Sequence, residues 1–361
     1  MNDEHYMKLA LSLARKGRGY VSPNPMVGAV IVKNGRIIGQ GFHQRFGGNH
    51  AEINAIGNAG GNVAGSTLYV TLEPCCHEGK TPPCINSIIE HKIARVVIGT
   101  IDSNPLVSCQ GINYLQNSGI EVRTGVLEND CRRLNEIFFH FMETGLPFVT
   151  VKYAQTLDGR IATSTGDSQW ISSEASLKFV HRLRAENDAI LVGLGTVIKD
   201  DPQLTVRLVR GRNPLRIIVD SRLNVSPKAK IFRDISRVPT LIATLKKSSD
   251  PQFQNMAAAG AEIITVDADK KGHVDLKKLF KALAERKISS ILIEGGAQVI
   301  TSVLMNNLAN RLITVIAPKI IGRGIEAVGD LNIRNLKSAK KLSVQKVLRR
   351  GEDIIVDSRL I

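Results

Sequence analysis

Two runs of short apolar strands alternating with amphipathic helices, separated by "ETGLPF" at 143–148, restrict this chain to a pair of layered α/β domains. In the first run "VGAVIVKNGRIIGQG" is apolar on both sides of Asn34-Gly35, the strongest short signal for a hairpin. "HAEINAIGNAG" reads as a short helix ended by glycine, "STLYVTLE" as a buried strand, and "PPCINSIIEHK" as a helix opening after proline. The strand "ARVVIGT", the helix "INYLQNSG", the strand "IEVRTGV" and one amphipathic helix, "NDCRRLNEIFFHFMETG", complete the run. Glycine and proline then stop that helix before the strand "FVTVKYAQT", so the domains are expected at 1–146 and 147–361. "DAILVG", "LRIIVDS", "TLIAT", "EIITV", "ISSILIEGG" and "RLITVIAP" are the strands of the second run, interleaved with helices such as "DLKKLFKALAERK".

Composition narrows the function classes. Aromatics make up only 4% of the chain, which argues against a platform of stacked rings for single-stranded nucleic acid. No apolar run approaches the roughly 18 residues of a membrane span, and five cysteines in so long a chain suit metal binding or free thiols rather than a disulfide framework. The N-terminus carries acids first and basic residues last, the reverse of a secretory signal; with the cysteine usage, the lack of a long apolar run and the scarce aromatics, a cytoplasmic protein without a membrane or nucleic-acid partner is expected. Residues 1–146 hold thirteen Lys and Arg against twelve Asp and Glu, so nearly all of the +15 net charge lies in the second half. A basic half of this kind suits nucleic acid or a small phosphorylated ligand.

The sharpest chemistry lies in the first half. His50-Ala51-Glu52 opens a helix, Pro74-Cys75 follows a strand, and Cys84 sits at a further helix start. One imidazole and two thiolates make a three-ligand zinc set with a fourth position left for water, the catalytic rather than the closed structural pattern. Glu52, two residues after the histidine, is then the proton shuttle rather than a ligand. A structural zinc, or two unrelated buried cysteines, is the plainer alternative.

This constellation resembles that of the zinc nucleobase deaminases, His-x-Glu followed by Pro-Cys-x-x-Cys, except that eight residues replace two between Cys75 and Cys84. With "CCHEGKTPPC", "PNPMVGAV" and "GFHQRFGGNHAE", the first half is similar to the deaminase half of the bifunctional riboflavin-biosynthesis deaminase/reductase family. "VKYAQTLDGRIATSTGDSQWIS", "VGLGTVIKDDPQLTVR" and "LIEGGAQV" resemble its reductase half, so the likeness spans essentially the whole chain.

The resemblance implies a cytidine-deaminase-like α/β/α layer domain followed by a dihydrofolate-reductase-like α/β domain. It also implies zinc-dependent deamination of 2,5-diamino-6-ribosylamino-4(3H)-pyrimidinone 5′-phosphate, then NADPH-dependent reduction of the ribose to ribityl, in a homo-oligomer. Asn24, His43 and Lys80 become deaminase substrate contacts. Lys152, Ala154, Trp170, Thr196, Asp200, Ser221, Gly295 and Gly296 fall around NADPH. Ser168, Arg184, Leu204, Arg207 and Glu294 fall around the reductase substrate, with the two arginines suited to its phosphate; the proton donor is left open among the titratable candidates Lys152, Asp200 and Glu294. The sequence departs from the family at "DSNPLVSCQGI", where Cys109 stands at an expected glycine and weakens any claim of close backbone approach. Cys109 and Cys131 are both expected to be buried or half-buried thiols. The competing reading is an RNA-editing zinc deaminase whose basic second domain binds nucleic acid.

Overall fold

The computed structural model describes residues 2–78, 82–104 and 109–361. It divides into two compact units, Met1–Gly145 and Leu146–Ile361.

In the first unit, α1 (Asp3–Ala14) precedes the hairpin of β1 (Gly28–Lys33) and β2 (Arg36–Phe42), then α2 (Ala51–Asn58), β3 (Thr67–Leu72) and α3 (Cys84–Glu90). The chain continues through β4 (Arg95–Thr100), α4 (Gln110–Asn117), β5 (Glu121–Arg123), α5 (Glu128–Leu134) and α6 (Glu136–Thr144). Asn34 and Gly35 both take positive φ, as a tight hairpin turn requires. The sheet order is β2-β1-β3-β4-β5, antiparallel through β3 and parallel beyond it.

Strand alternation sorts the core into two layers. Ala29, Ile31, Leu68, Val70, Val96 and Ile98 face α2, α3 and α4. Their neighbours Val30, Val32, Tyr69 and Val97 face α1 and α5. The long amphipathic helix expected at 129–145 is two helices. Asn135 breaks it at φ −105° and ψ 25°, because its amide holds both the N–H and the C=O of Met26.

Glycines in the hairpin set where α2 lies. A Cβ on Gly39 would come within 2.3 Å of Ala55 O, and one on Gly41 within 2.3 Å of Ala51 O and 2.4 Å of Ala55 N. The helix backbone therefore rests directly on β2, and the first turn, with His50 and Glu52, is carried to the C-terminal end of β3.

The second unit runs β6 (Phe148–Thr156), β7 (Arg160–Thr163), α7 (Glu174–Glu186), β8 (Ala189–Gly193), α8 (Leu194–Asp200), β9 (Leu215–Val219) and β10 (Thr240–Thr244). It continues with α9 (Pro251–Ala258), β11 (Glu262–Thr265), α10 (Leu276–Glu285), β12 (Ser290–Ile293), α11 (Ala297–Met305), β13 (Arg311–Ala317) and β14 (Gly324–Glu326). A hairpin of β15 (Leu342–Arg350) and β16 (Asp353–Leu360) ends the chain. The nine-stranded sheet has the order β11-β10-β9-β8-β12-β6-β13-β16-β15, parallel as far as β13 and antiparallel through the hairpin.

Leu191, Ile217, Leu241 and Ile291 face α10 and α11, while Ile190, Ile218 and Ile242 face the other layer. The final hairpin escapes a pattern reading because β15 is mostly exposed and a bulge between Val344 and Lys346 breaks its alternation. The second unit also buries Arg216 completely, bonded to Asp234 and to the carbonyls of Gln203 and Val238.

Because the atoms facing Gly41 are backbone, the Gly41→Ala variant cannot be relieved by a rotamer change. It is expected to destabilise the first unit by about 1–3 kcal/mol and to lower its metal content, with reductase activity retained. Denaturant unfolding together with metal analysis checks this.

Candidate active sites

Three ends converge in the first unit. His50 immediately precedes α2, Cys75 follows β3, and Cys84 is the first residue of α3. One ligand atom from each lies within 4.8 Å of the other two, the one such group among the described residues. His50 Nδ1 is 3.2 Å from Cys84 Sγ and 3.4 Å from Cys75 Sγ, and the Cys84 amide donates to Cys75 Sγ at 3.3 Å.

These contacts set the local charge. The Cys84 side chain, and then His50, hold Cys75 well below the ordinary thiol range, while Cys84 is pushed up by the same pairing and by burial. His50 is raised, chiefly by its bond to Cys75. A thiolate and an imidazole held together in a buried place are the donor types that a zinc ion takes. Cys76 lies outside the group and packs against the apolar layer under α2 and α3.

Glu52 is 3% exposed, its carboxyl pushed up to about 7 by burial and then by Cys75, and its Oε2 has no protein partner. It faces a hollow of about 200 Å³ that also receives Asn24, His43, His77, Asp102 and Asn104. His43 is not a surface group: it is 2% exposed, and its ring meets that of His50 edge-on at 5.3 Å. Its Nδ1 donates to Asn49 O at 3.1 Å, and its Nε2 accepts from Asn24 Nδ2 at 3.3 Å. Burial holds His43 below its usual pKa, consistent with a neutral ring. Lys80 lies outside the described residues.

Sequence reasoning did not single out Asp102 or Asn104. They enter the hollow from the end of β4, beside the end of the parallel strand β3, where open α/β sheets place their ligands. Cys109 is exposed rather than buried, whereas Cys131 is fully buried.

In the second unit a charged cluster gathers beside the end of β12. Arg184 on α7 grips both oxygens of Glu294 at 2.8 Å each and donates to Thr205 O at 3.1 Å. Both side chains are nearly buried. Burial would raise Glu294, but Arg184 and then Lys152 outweigh it and hold the carboxyl below its usual range. Lys152 is lowered by burial, against the opposing pull of Glu294. Arg184 thus gives two of its five donors to Glu294 and a third to Thr205 O, which leaves two N–H groups for a phosphate. Arg207 bonds Thr205 Oγ1 and is otherwise exposed.

His181, absent from the expected set, is 4% exposed and accepts the amides of Arg207 (2.9 Å) and Leu208 (3.4 Å) at Nδ1. Leu204, expected around the substrate, turns its side chain inward. At 3% exposure its side chain belongs to the core with Val192 and Val197, which leaves only its main chain to meet a ligand.

Gly295 and Gly296 have φ of +134° and +78° and enter α11. A Cβ on Gly295 would press on Thr196 Oγ1 at 3.3 Å, one on Gly296 would meet it at an ordinary 3.5 Å, and the positive φ disfavours a side chain at both, where the chain enters the helix N-terminus. Trp170 is 67% exposed and therefore not core, with its carbonyl held by Lys319. Ser168 Oγ lies 3.5 Å from Asp200 Oδ1. Ser221 Oγ accepts the Val274 amide, away from Glu294 in the chain order of the sheet. Ala154 lies on β6, two residues after Lys152.

Residues 147–356 match the RibD C-terminal domain, and residues 1–100 match the cytidine and deoxycytidylate deaminase zinc-binding region. A riboflavin biosynthesis protein RibD from Aquifex aeolicus is 46% identical over 355 residues, 98% of this chain and 97% of that one. The chain belongs to the RibD family. The Escherichia coli RibD is 38% identical, with 98% of each chain covered. Among solved structures, a diaminohydroxyphosphoribosylaminopyrimidine deaminase/5-amino-6-(5-phosphoribosylamino)uracil reductase from Thermotoga maritima superposes with a TM-score of 0.88 at 40% identity, covering 99% of each chain. An Acinetobacter baumannii RibD gives 0.90 at 33% identity over the same shares. The fold is thus that of RibD proteins, a cytidine-deaminase-like unit followed by a dihydrofolate-reductase-like one. The match of the second half to a RibD domain leaves the RNA-editing reading without support. Among the described residues no helix is long and apolar enough to cross a membrane.

Two outcomes follow from this geometry. Cys75→Ser and Cys84→Ser are expected to lose bound zinc, whereas Cys76→Ser keeps it, as read by metal analysis of the purified proteins. In the second unit, burial and then Arg184 and Arg207 push His181 from its usual 6.5 to about 4. Between those values the unfolded chain binds a proton that the folded chain refuses, so stability falls as pH drops from about 6.5 towards 4. His181→Gln is expected to flatten that slope in thermal unfolding followed across the same range.

Proposed function

We propose that the two units catalyse successive steps of riboflavin biosynthesis. The first hydrolyses an exocyclic amine of 2,5-diamino-6-ribosylamino-4(3H)-pyrimidinone 5′-phosphate, releasing ammonia. The second reduces the ribosyl group of 5-amino-6-(5-phosphoribosylamino)uracil to ribityl with NADPH. The observation that carries the reading is the convergence of His50, Cys75 and Cys84 beside the unpartnered Glu52 Oε2, in a chain matched end to end by RibD proteins.

His50, Cys75 and Cys84 would hold zinc, which when bound lowers the pKa of a water molecule and supplies a nucleophile at neutral pH. Glu52 Oε2 would take the proton lost by the attacking water and return it to the amine nitrogen as the C–N bond breaks. Asn24, positioned by its bond to the neutral His43, would present the rest of its amide edge to the pyrimidine, with the His43 ring packed beside it, and Lys80 would meet the substrate phosphate.

In the second unit, Gly295, Gly296 and Thr196 support a dinucleotide phosphate at the start of α11, with Lys152, Ala154, Trp170, Asp200 and Ser221 as the further cofactor set. NADPH when bound supplies the hydride. Arg207, with the two remaining donors of Arg184, would receive the substrate phosphate, while Ser168 and the main chain at Leu204 flank the substrate. Glu294, ionised and locked by Arg184, would orient the sugar hydroxyls. Lys152, its charge disfavoured by burial, would release a proton to the oxygen of the ring-opened aldehyde as hydride reaches carbon. The finer expectations of a homo-oligomer without a nucleic-acid partner are open to sedimentation with and without RNA.

Glu52→Gln is expected to lower ammonia release by about a hundredfold to ten-thousandfold with zinc and NADPH-dependent reduction retained, and Lys152→Ala the converse. Both steps are read on one preparation by ammonia release and by NADPH absorbance. Loss of zinc from Glu52→Gln, or full deamination by it, would overturn the assignment.

A further inference from the structure

Glu73 lies between the end of β3 and Pro74-Cys75 and is 3% exposed. Its carboxylate accepts four main-chain amides. Oε2 takes Asp102 at 3.2 Å and Cys109 at 3.1 Å, and Oε1 takes Gly111 at 3.1 Å and Ile112 at 3.4 Å. Among the described residues no cation pairs with it, so its charge is met by backbone dipoles, including the first-turn amides of α4. The residue at the helix N-cap, Cys109, makes no side-chain cap bond, so Glu73 caps α4 from another strand.

The local backbone is shaped to this carboxylate. Cys109 takes φ +61°, a conformation that favours glycine, and in it points its amide at Oε2. A Cβ on Gly111 would lie 2.5 Å from Pro74 O and 3.3 Å from Glu73 Oε1, so the two segments meet backbone to backbone. The close backbone approach, for which Cys109 in place of glycine weakened the case, is present. What Glu73 joins gives the contact its meaning. On one side is the strand end that carries Cys75. On the other is the segment beginning at Asp102, which with Asn104 forms a wall of the hollow facing Glu52.

We propose that Glu73 is a positioning residue of the deaminase: it fixes the Asp102–Asn104 wall against the Cys75 end of β3 through backbone amides. Glu73 itself borders the hollow, but its two oxygens are taken up by those four amides, so it acts through the wall rather than on the substrate. The inference rests on the reading of this hollow as the deaminase site. The full-length Glu73→Gln variant is the test, because it preserves shape and one acceptor oxygen but turns the other into a donor facing amides.

The expected result is zinc content and reductase turnover equal to wild type, and deaminase KM raised about tenfold or more with a smaller change in kcat. Hydrogen exchange should accelerate at the amides of Asp102, Cys109, Gly111 and Ile112. Unchanged exchange at those amides, an unchanged KM, or a loss of zinc along with activity would each overturn the proposal. Wild-type protein that released no ammonia would instead sink the reading of the site, whereas the exchange measurement still reports whether the clamp exists.

Discussion

Direct backbone contact between β2 and α2 at Gly39 and Gly41 is the constraint on which the deaminase site depends. Contacts through side chains can slide by a rotamer, but a helix resting on bare glycines has one seat. That seat puts His50 and Glu52 opposite Cys75 and Cys84, and it does so before any ligand is considered. The cluster then carries its own electrostatic problem. An imidazole, two thiols and a carboxyl are withdrawn from water, which is costly unless they satisfy one another or a cation satisfies them. The side-chain contact between Cys75 and Cys84 lowers one thiol and raises the other, so the pair favours a single negative charge until a cation joins it.

The second unit solves a related problem with charges rather than thiols. Arg184 and Glu294 are nearly buried, and their value lies less in net stability than in specifying geometry, since desolvation offsets much of their attraction. The pair holds a carboxylate ionised next to a lysine whose charge burial disfavours. Neutral His181 completes the frame by accepting amides at Arg207 and Leu208, which a protonated ring could not do. Carboxylate, lysine and arginine are thereby set at one place on the sheet by partners that need not touch a substrate.

Much of this was legible in the sequence, and the unread parts have physical reasons. The Asn34-Gly35 hairpin and the buried strands depend on residue type at short spacing, and the His50-Cys75-Cys84 set on short motifs that follow one another in a recognisable order, which a sequence displays directly. The break at Asn135 was not legible, because it arises from a bond to Met26, more than a hundred residues earlier. Glu73 looked like part of a strand end, and nothing local marks it as the cap of α4. Arg184 and Glu294 were each assigned to a ligand, since their pairing across 110 positions has no local trace.

The sequence by itself determined the two α/β units, the family and the residue types that the chemistry needs, because periodicity, turn residues and donor identity are local properties. Tertiary structure alone decided which donors meet, which carboxylates are free and which are spent as clamps. Glu52 and Glu73 are both buried glutamates in the same unit, yet one keeps an unpartnered oxygen in the hollow and the other gives both oxygens to four amides. That difference is set by the backbone that arrives around each carboxylate, and backbone arrives only when the sheet and its helices have packed.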